Sequence, residues 1–151
     1  MAYACVETPV GALTVFEDDG AIVAVEWGRA PRPTRTLLLK EAAAQLDAYF
    51  EGRLKEFDLP LKPTGTRYEQ AVWSRLRKIP YGKTRTYGEI ADQIRSSARA
   101  VGTACAANPI PIIIPCHRVV GADGALTGYS GGEGVATKVV LLRLEGAGFL
   151  V

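Results

Sequence analysis

One thiol beside one imidazole carries most of the chemical possibility in this chain. Cys116 and His117 sit in Pro115-Cys116-His117-Arg118-Val119, directly after Ile112-Ile113-Ile114, and His117 is the single histidine of 151 residues. A thiolate is a strong soft nucleophile, and imidazole is the usual group that deprotonates a thiol near neutral pH. Histidine-assisted cysteine chemistry is therefore located here or absent. Taken alone, the cysteine can equally be a packing residue at a strand end, because free cysteine is commonly buried. Neighbours on a regular strand or helix point to different faces, so a working pair needs an irregular backbone or a bridging water. Pro115 supplies a reason for irregularity, since its φ is fixed and it lacks an N–H.

The other sulfur groups narrow the chemistry. Cys5, Cys105 and Cys116 are an odd, widely spaced set, which argues against a disulfide framework. No Cys-x-x-Cys occurs, and one histidine leaves little to complete a tetrahedral site, so no metal is expected. No apolar run reaches membrane-spanning length, and Met1-Ala2-Tyr3-Ala4-Cys5 lacks the basic start and apolar core of a signal peptide. A cytoplasmic protein with no membrane partner is expected.

The elements that must position this pair are legible in the patterning. Tyr3 to Glu7, Leu13 to Glu17 and Ala21 to Trp27 are rich in β-formers, with turn signals at Pro9-Val10-Gly11 and Asp18-Asp19-Gly20. After a loop carrying Pro31 and Pro33, Leu38, Leu39, Ala42, Leu46, Tyr49 and Phe50 recur at helical spacing before Gly52. Leu54 to Leu61 reads as one more strand, and Pro60 to Gly65 as a linker. Beyond it, Thr66 to Glu69 approximates a capping box opening a helix to about Lys78, with Ala71, Val72, Leu76 and Ile79 as its buried face. A short helix over Thr86 to Ile94, the turn Arg95-Ser96-Ser97 and a second helix from Ala98 to Ala107 make a helix-turn-helix, with Ser97 as cap. The fold class expected is α+β, with an N-terminal subdomain over 1–62 and a mainly helical domain over 63–151. Hydrophobic residues make up 48% and charged residues 23%, which suits one core or two small, closely packed ones.

Charge is distributed unevenly behind a net of +2. Residues 1–60 hold six Lys and Arg against ten Asp and Glu, a net of −4. Residues 67–107 hold eight (Arg67, Arg75, Arg77, Lys78, Lys83, Arg85, Arg95, Arg99) against Glu69, Glu89 and Asp92, a net of +5. Such a segment is what a polyanion-binding surface needs, although a solvated basic face has the same composition. The second helix of the motif carries Ala98, Ala100, Gly102, Thr103, Ala104, Ala106 and Ala107, almost without long side chains. A major-groove reader displays Arg, Asn or Gln to base edges, so base reading is poorly supported. Small residues suit close approach to a groove, or tight helix packing.

Several motifs recur in order around the cysteine: Tyr87-Gly88-Glu89-Ile90-Ala91, Arg99-Ala100-Val101-Gly102, Asn108-Pro109, Pro115 to Val119, Gly128-Tyr129-Ser130-Gly131-Gly132 and Leu141 to Gly146. Over roughly residues 67 to 147 this set closely resembles the O6-alkylguanine-DNA alkyltransferases, the methylated-DNA–protein-cysteine methyltransferases. Residues 1–60 resemble that family only in organisation, where it has a ribonuclease-H-like subdomain. The resemblance implies direct transfer of an alkyl group from guanine O6 to a cysteine thiolate, once per molecule and without a cofactor. The partner it implies is double-stranded DNA bearing O6-alkylguanine, bound through the minor groove with the damaged nucleotide flipped out; a monomer is expected. Some family members carry zinc in the N-terminal part, but its ligands are not evident here.

Carried over by motif, Cys116 is the nucleophile, His117 the base acting through a water, and Glu145 the carboxylate orienting the imidazole. Tyr87 matches the phenol that donates towards guanine N3, and Ser130 a donor to O6 in a pocket wall containing Tyr129. The carbonyls of Cys116 and Val119 match acceptors for the exocyclic amine, and Asn108 the asparagine tying the helix end to the active-site loop. Arg99 matches the arginine that fills the vacated stack, with Ser97, Ala98, Thr103 and Arg95 around it on the DNA-facing side. Base extrusion costs a few kcal/mol, part of which such an insertion offsets.

Two departures stand out. Arg95 occupies a turn where many relatives have glycine, which constrains the turn or adds a phosphate contact. The segment from Glu133 to Val140 is about two residues longer than in common relatives, lengthening the pocket loop. Rival readings are a lesion-binding protein without repair, disfavoured because Cys116 is present, a helix-turn-helix regulator, disfavoured by the alanine-rich helix, and a cysteine hydrolase, disfavoured by the lack of a second histidine and an oxyanion-hole motif. Cys105 reads as a packing residue.

Overall fold

The computed structural model describes residues 1–126 and 128–148. It falls into two compact units, Met1–Thr64 and Gly65–Val151. In the first, β1 (Ala2–Thr8), β2 (Gly11–Asp18) and β3 (Ala21–Trp27) form an antiparallel meander. Asp19 and Gly20 both have positive φ, 50° and 78°, as the two-residue hairpin between β2 and β3 requires. Thr14 is buried between Leu13 and Val15 because its hydroxyl donates to the Gly28 carbonyl at 2.8 Å and accepts from Ala30 N. Helix α1 (Leu37–Phe50) starts at the Thr36 cap and lays Leu39, Ala42, Leu46 and Tyr49 against β1 and β2.

Leu54 to Leu61 is not a strand, contrary to its sequence pattern. Only Leu61 pairs, in a single parallel bridge to Ile22. Pro60 has no N–H to give a ladder, and Gln45 satisfies both backbone groups of Asp58 from its side chain.

In the second unit, α2 (Arg67–Leu76) begins with a complete Thr66/Glu69 capping box. Its buried face is Val72, Trp73, Leu76 and, past the helix end, Ile79. Ala71 is exposed, not buried as its position in the sequence suggested. Trp73 takes the core side instead and turns Ala71 to solvent; its indole N–H donates to the Ala104 carbonyl at 2.9 Å. Helix α3 (Tyr87–Gln93) has its own capping box, Thr86/Glu89, and α4 (Ala98–Ala106) is capped by Ser97. Between them Arg95 adopts φ +54°, the left-handed conformation that glycine occupies without cost.

A feature absent from the sequence reading is the parallel pairing of β4 (Arg85–Thr86) with β5 (Val119–Val120). Helix α5 (Val135–Glu145) ends at Gly146, whose left-handed φ of 71° closes the C-cap. Its start at Val135 makes most of the Glu133 to Val140 segment helix rather than a lengthened loop. On α5, Lys138, Leu141, Leu142 and Glu145 are buried. Residues three, four and seven apart share one helix face, so both ionisable side chains point inward two turns apart.

Candidate active site

The backbone leading to Cys116 is wound more tightly than any regular element. Ile113 N donates to the Pro111 carbonyl at 2.9 Å across Ile112, whose φ is +72°. This is the positive-φ γ-turn, rare and strained for a β-branched residue. Cys116 N then donates to the Ile114 carbonyl at 2.8 Å across Pro115, at φ −82° and ψ 65°, an inverse γ-turn. Asn108, just past the end of α4, fastens the segment: its Nδ2 donates to the Ile114 carbonyl and its Oδ1 accepts from Ile110 N, both at 2.9 Å. Cys116, His117 and Arg118 therefore form a 3-10 turn, not a strand end. Adjacent side chains can there serve different parts of one site.

Cys116 is 7% exposed and opens onto a cavity of about 380 Å³. Tyr87, Gly102, Cys105, Tyr129 and Ser130 line it as well. The β4–β5 pairing brings Tyr87 there, because Thr86 pairs with Val120 and Tyr87 follows it. Burial pushes the Cys116 thiol up, against the pull of the Asn108 amide, the Lys138 ammonium and the Tyr129 hydroxyl, which favour the thiolate. Cys105 is pushed up to about 12, chiefly by burial, so its thiol keeps its proton. Ser130 Oγ, exposed at the rim, reaches the Ala106 carbonyl at 3.5 Å.

Behind the cysteine lies a fully enclosed charge cluster. His117 Nε2 and Glu145 Oε2 are 2.8 Å apart, and neither side chain is exposed. Among the described residues, His117 Nδ1 is buried without a hydrogen-bond partner. With the Nε2–H donated to the carboxylate, the Nδ1 lone pair is left to accept a proton. Burial lowers the imidazole below its ordinary value, more than Glu145 raises it.

Two residues of this site were not singled out in the sequence. Arg118 forks onto Glu145 from Nε at 2.8 Å and Nη2 at 3.0 Å. Lys138, fully buried, donates from Nζ to the Val119 carbonyl at 2.6 Å and sits 5.7 Å above the Tyr87 ring. The Val119 and Cys116 carbonyls each already accept one bond, from Lys138 and from Val119 N, and each keeps a second lone pair. The available signal for Lys138 was its place seven residues, two helical turns, before Glu145 on the same helix face. For Arg118 it was the immediate neighbourhood of His117.

The residues read as DNA-facing lie apart from the thiol chemistry. Arg99 and Thr103 are exposed one turn apart on α4, while Val101, Ala104 and Cys105 face inward. Ser97, Arg99 and Thr103 line a second groove with Tyr68 and Ala100, about 480 Å³ in volume. Ala98 is exposed beside it, and Arg95 is exposed on the turn.

Comparison with known proteins places the same residues in context. Residues 67–147 match the profile of the 6-O-methylguanine DNA methyltransferase DNA-binding domain, and residues 1–63 that of the ribonuclease-like domain of the same methyltransferases. The chain is similar to the methylated-DNA–protein-cysteine methyltransferase of Methanosarcina acetivorans, at 44% identity over 97% of this chain and 99% of the relative. Its similarity to that of Mycobacterium tuberculosis H37Rv is 46% over 95% and 91%. The crystal structure of Mycobacterium tuberculosis OGT in complex with DNA superposes with a TM-score of 0.87, at 45% identity, covering 97% of this chain and 93% of that one.

Proposed function

The chain belongs to the 6-O-methylguanine DNA methyltransferase family, and on that premise we propose that it repairs DNA by moving an alkyl group from guanine O6 to its own Cys116. The observation that carries this reading is the buried Cys116 thiol facing a cavity of about 380 Å³, with the His117–Glu145 pair behind it. That volume lies in the range of small-ligand sites, so it suits one extruded base.

His117 Nδ1 takes the thiol proton through a bridging water, and Glu145 holds the imidazole in the required tautomer. The thiolate attacks the alkyl carbon, an S–C bond forms and the C–O6 bond breaks. The departing electron pair goes to the guanine, which takes a proton at N3 from Tyr87. Lys138 supports both partners, as a cation near the sulfur and as the donor that fixes the Val119 carbonyl. The second lone pairs of Val119 and Cys116 receive the exocyclic amine, and Ser130 donates to O6. Asn108 keeps the loop in place. The S–C bond of a neutral thioether does not hydrolyse at neutral pH, so each molecule acts once, as a monomer in the cytoplasm.

Duplex DNA carrying the lesion lies along α4, whose exposed face presents Arg99 among small residues. Small side chains permit entry to the minor groove, and Arg99 fills the stack vacated by the flipped nucleotide. Ser97, Ala98, Thr103 and Arg95 flank that contact, on phosphates rather than bases. A time course with excess methylated duplex tests the whole reading. Product is expected to plateau at one equivalent per protein and to vanish in Cys116→Ser; continued turnover, or a full plateau in the variant, refutes it.

A further inference from the structure

Glu145 serves two cations, and the second is the one that decides the state of the first. Its Oε1 accepts from Arg118 Nε at 2.8 Å and from Gly82 N at 3.4 Å, and its Oε2 accepts from Arg118 Nη2 at 3.0 Å as well as from His117 at 2.8 Å. Arg118 is itself held from the far side, by Nη1 donating to the Ile79 carbonyl at 2.7 Å, with the Tyr81 ring 5.8 Å from its Cζ. The side chain is 8% exposed. This is a forked, charge-assisted pair in a buried setting, a geometry lysine cannot reproduce.

We propose that Arg118 is a positioning residue for alkyl transfer: by neutralising Glu145 through its fork, it keeps His117 uncharged and ready to take the Cys116 proton. Glu145 and Arg118 cancel, so the cluster is neutral with a neutral imidazole and carries an uncompensated buried cation when His117 is protonated. Without Arg118, the same carboxylate would pair with an imidazolium, and a base that already holds its proton cannot accept another. The other groups facing His117 act in the same direction or are uncharged. Lys138, on α5, is a second cation that disfavours imidazolium. Tyr81, before β4, faces Glu145 and Arg118 as a neutral phenol, and Cys116 lies on the same turn as a thiol. Burial, the largest influence, lowers the imidazole; Glu145 raises it and Arg118 counters that rise. The proposal rests on the reading of His117 as the base.

Because His117 is the only histidine, its titration can be followed directly by nitrogen-15 NMR of histidine-labelled full-length protein. Arg118→Met is expected to raise the imidazole midpoint by a unit or more. The acid limb of the single-turnover rate profile should move with it, giving a rate about tenfold lower per unit on that limb and recovering at higher pH. Arg118→Lys, which keeps a cation, is expected to fall between the two. A rate lowered evenly at all pH values with an unmoved midpoint overturns the proposal and leaves Arg118 a structural residue. A raised midpoint with an unmoved rate limb overturns instead the assignment of His117 as base. Should Arg118→Met fail to fold, Arg118→Met/Glu145→Gln removes both charges together. Its midpoint is expected at or below that of the parent protein, and a higher one overturns the proposal.

Discussion

Asn108→Ala is the perturbation that best separates loop positioning from core packing. The side chain makes two hydrogen bonds of 2.9 Å, one to the Ile114 carbonyl and one from Ile110 N, and a third interaction with the Cys116 thiol. Ile110 and Ile114 are both fully buried, so truncation leaves a donor without its partner and weakens the satisfaction of an acceptor. At about 1–3 kcal/mol for each buried group left unpaired, the expected loss is about 2–4 kcal/mol of unfolding free energy. That range allows for Cys116 N still donating to the Ile114 carbonyl at 2.8 Å. Alanine also releases the strained turn at Ile112, which the staple holds at φ +72°. The chemical effect has a definite sign. Asn108 favours the thiolate, so its loss raises the Cys116 thiol further and cuts iodoacetamide and alkyl-transfer rates about tenfold per unit at neutral pH. Urea melts give the first quantity and the pH profile of carboxymethylation the second. Unchanged stability together with an unchanged thiol profile would mean that the staple neither holds the loop nor touches the sulfur.

Three further outcomes follow from the same geometry. His117 is held below its ordinary value of 6.5, so its contribution to stability is fully present above that pH and is lost as pH falls towards the folded-state value. Urea melts should show stability declining below about pH 6.5 by up to about 1.4 kcal/mol per unit, and that slope should shrink in His117→Gln. Lys138→Met removes a charged donor from the Val119 carbonyl and should cost about 1.5–3 kcal/mol, with a slower transfer rate at neutral pH and little change in DNA affinity. Arg99→Ala should do the reverse, keeping thiol reactivity towards free O6-benzylguanine while slowing repair in duplex DNA, as read by paired assays on the two substrates.

How much of this was legible in the sequence depended on whether the signal was local. The hairpin at Asp19-Gly20, the capping box at Thr66 and the cap at Ser97 are set by residues within four positions of each other, and each is where the pattern put it; the equally local Thr86/Glu89 box emerged only in the structure. Ala71 was misplaced because periodicity gives a face only to within one residue, and the indole of Trp73 claimed that face through a bond to Ala104, far along the chain. Leu54 to Leu61 had strand composition but lacked a ladder partner beyond Ile22. The Glu133 to Val140 segment looked like loop because Gly132 precedes it and Gly134 is its second residue, yet the helix begins at Val135. In the site, residue type drew attention to Cys116 and His117, and the family motif gave them their roles. Of the two turns that let adjacent side chains serve one reaction, the one at Pro115 was announced by the proline, while the one at Ile112 is fastened by Asn108 and has no local signature in an isoleucine run. Lys138 and Arg118 escaped for the opposite reason: charged residues are ordinarily at the surface, and only the fold shows these two buried against a carbonyl and a carboxylate.

One sulfur, that of Cys116, receives the alkyl group in this mechanism. Duplex DNA carrying O6-methylguanine with an isotopically labelled methyl, incubated with the full-length protein and followed by peptide mapping, tests it most directly. The label is expected on the peptide containing Cys116, as S-methylcysteine, at one per chain. Label on Cys5 or Cys105, or label that remains on the DNA while the protein is active and folded, would contradict it.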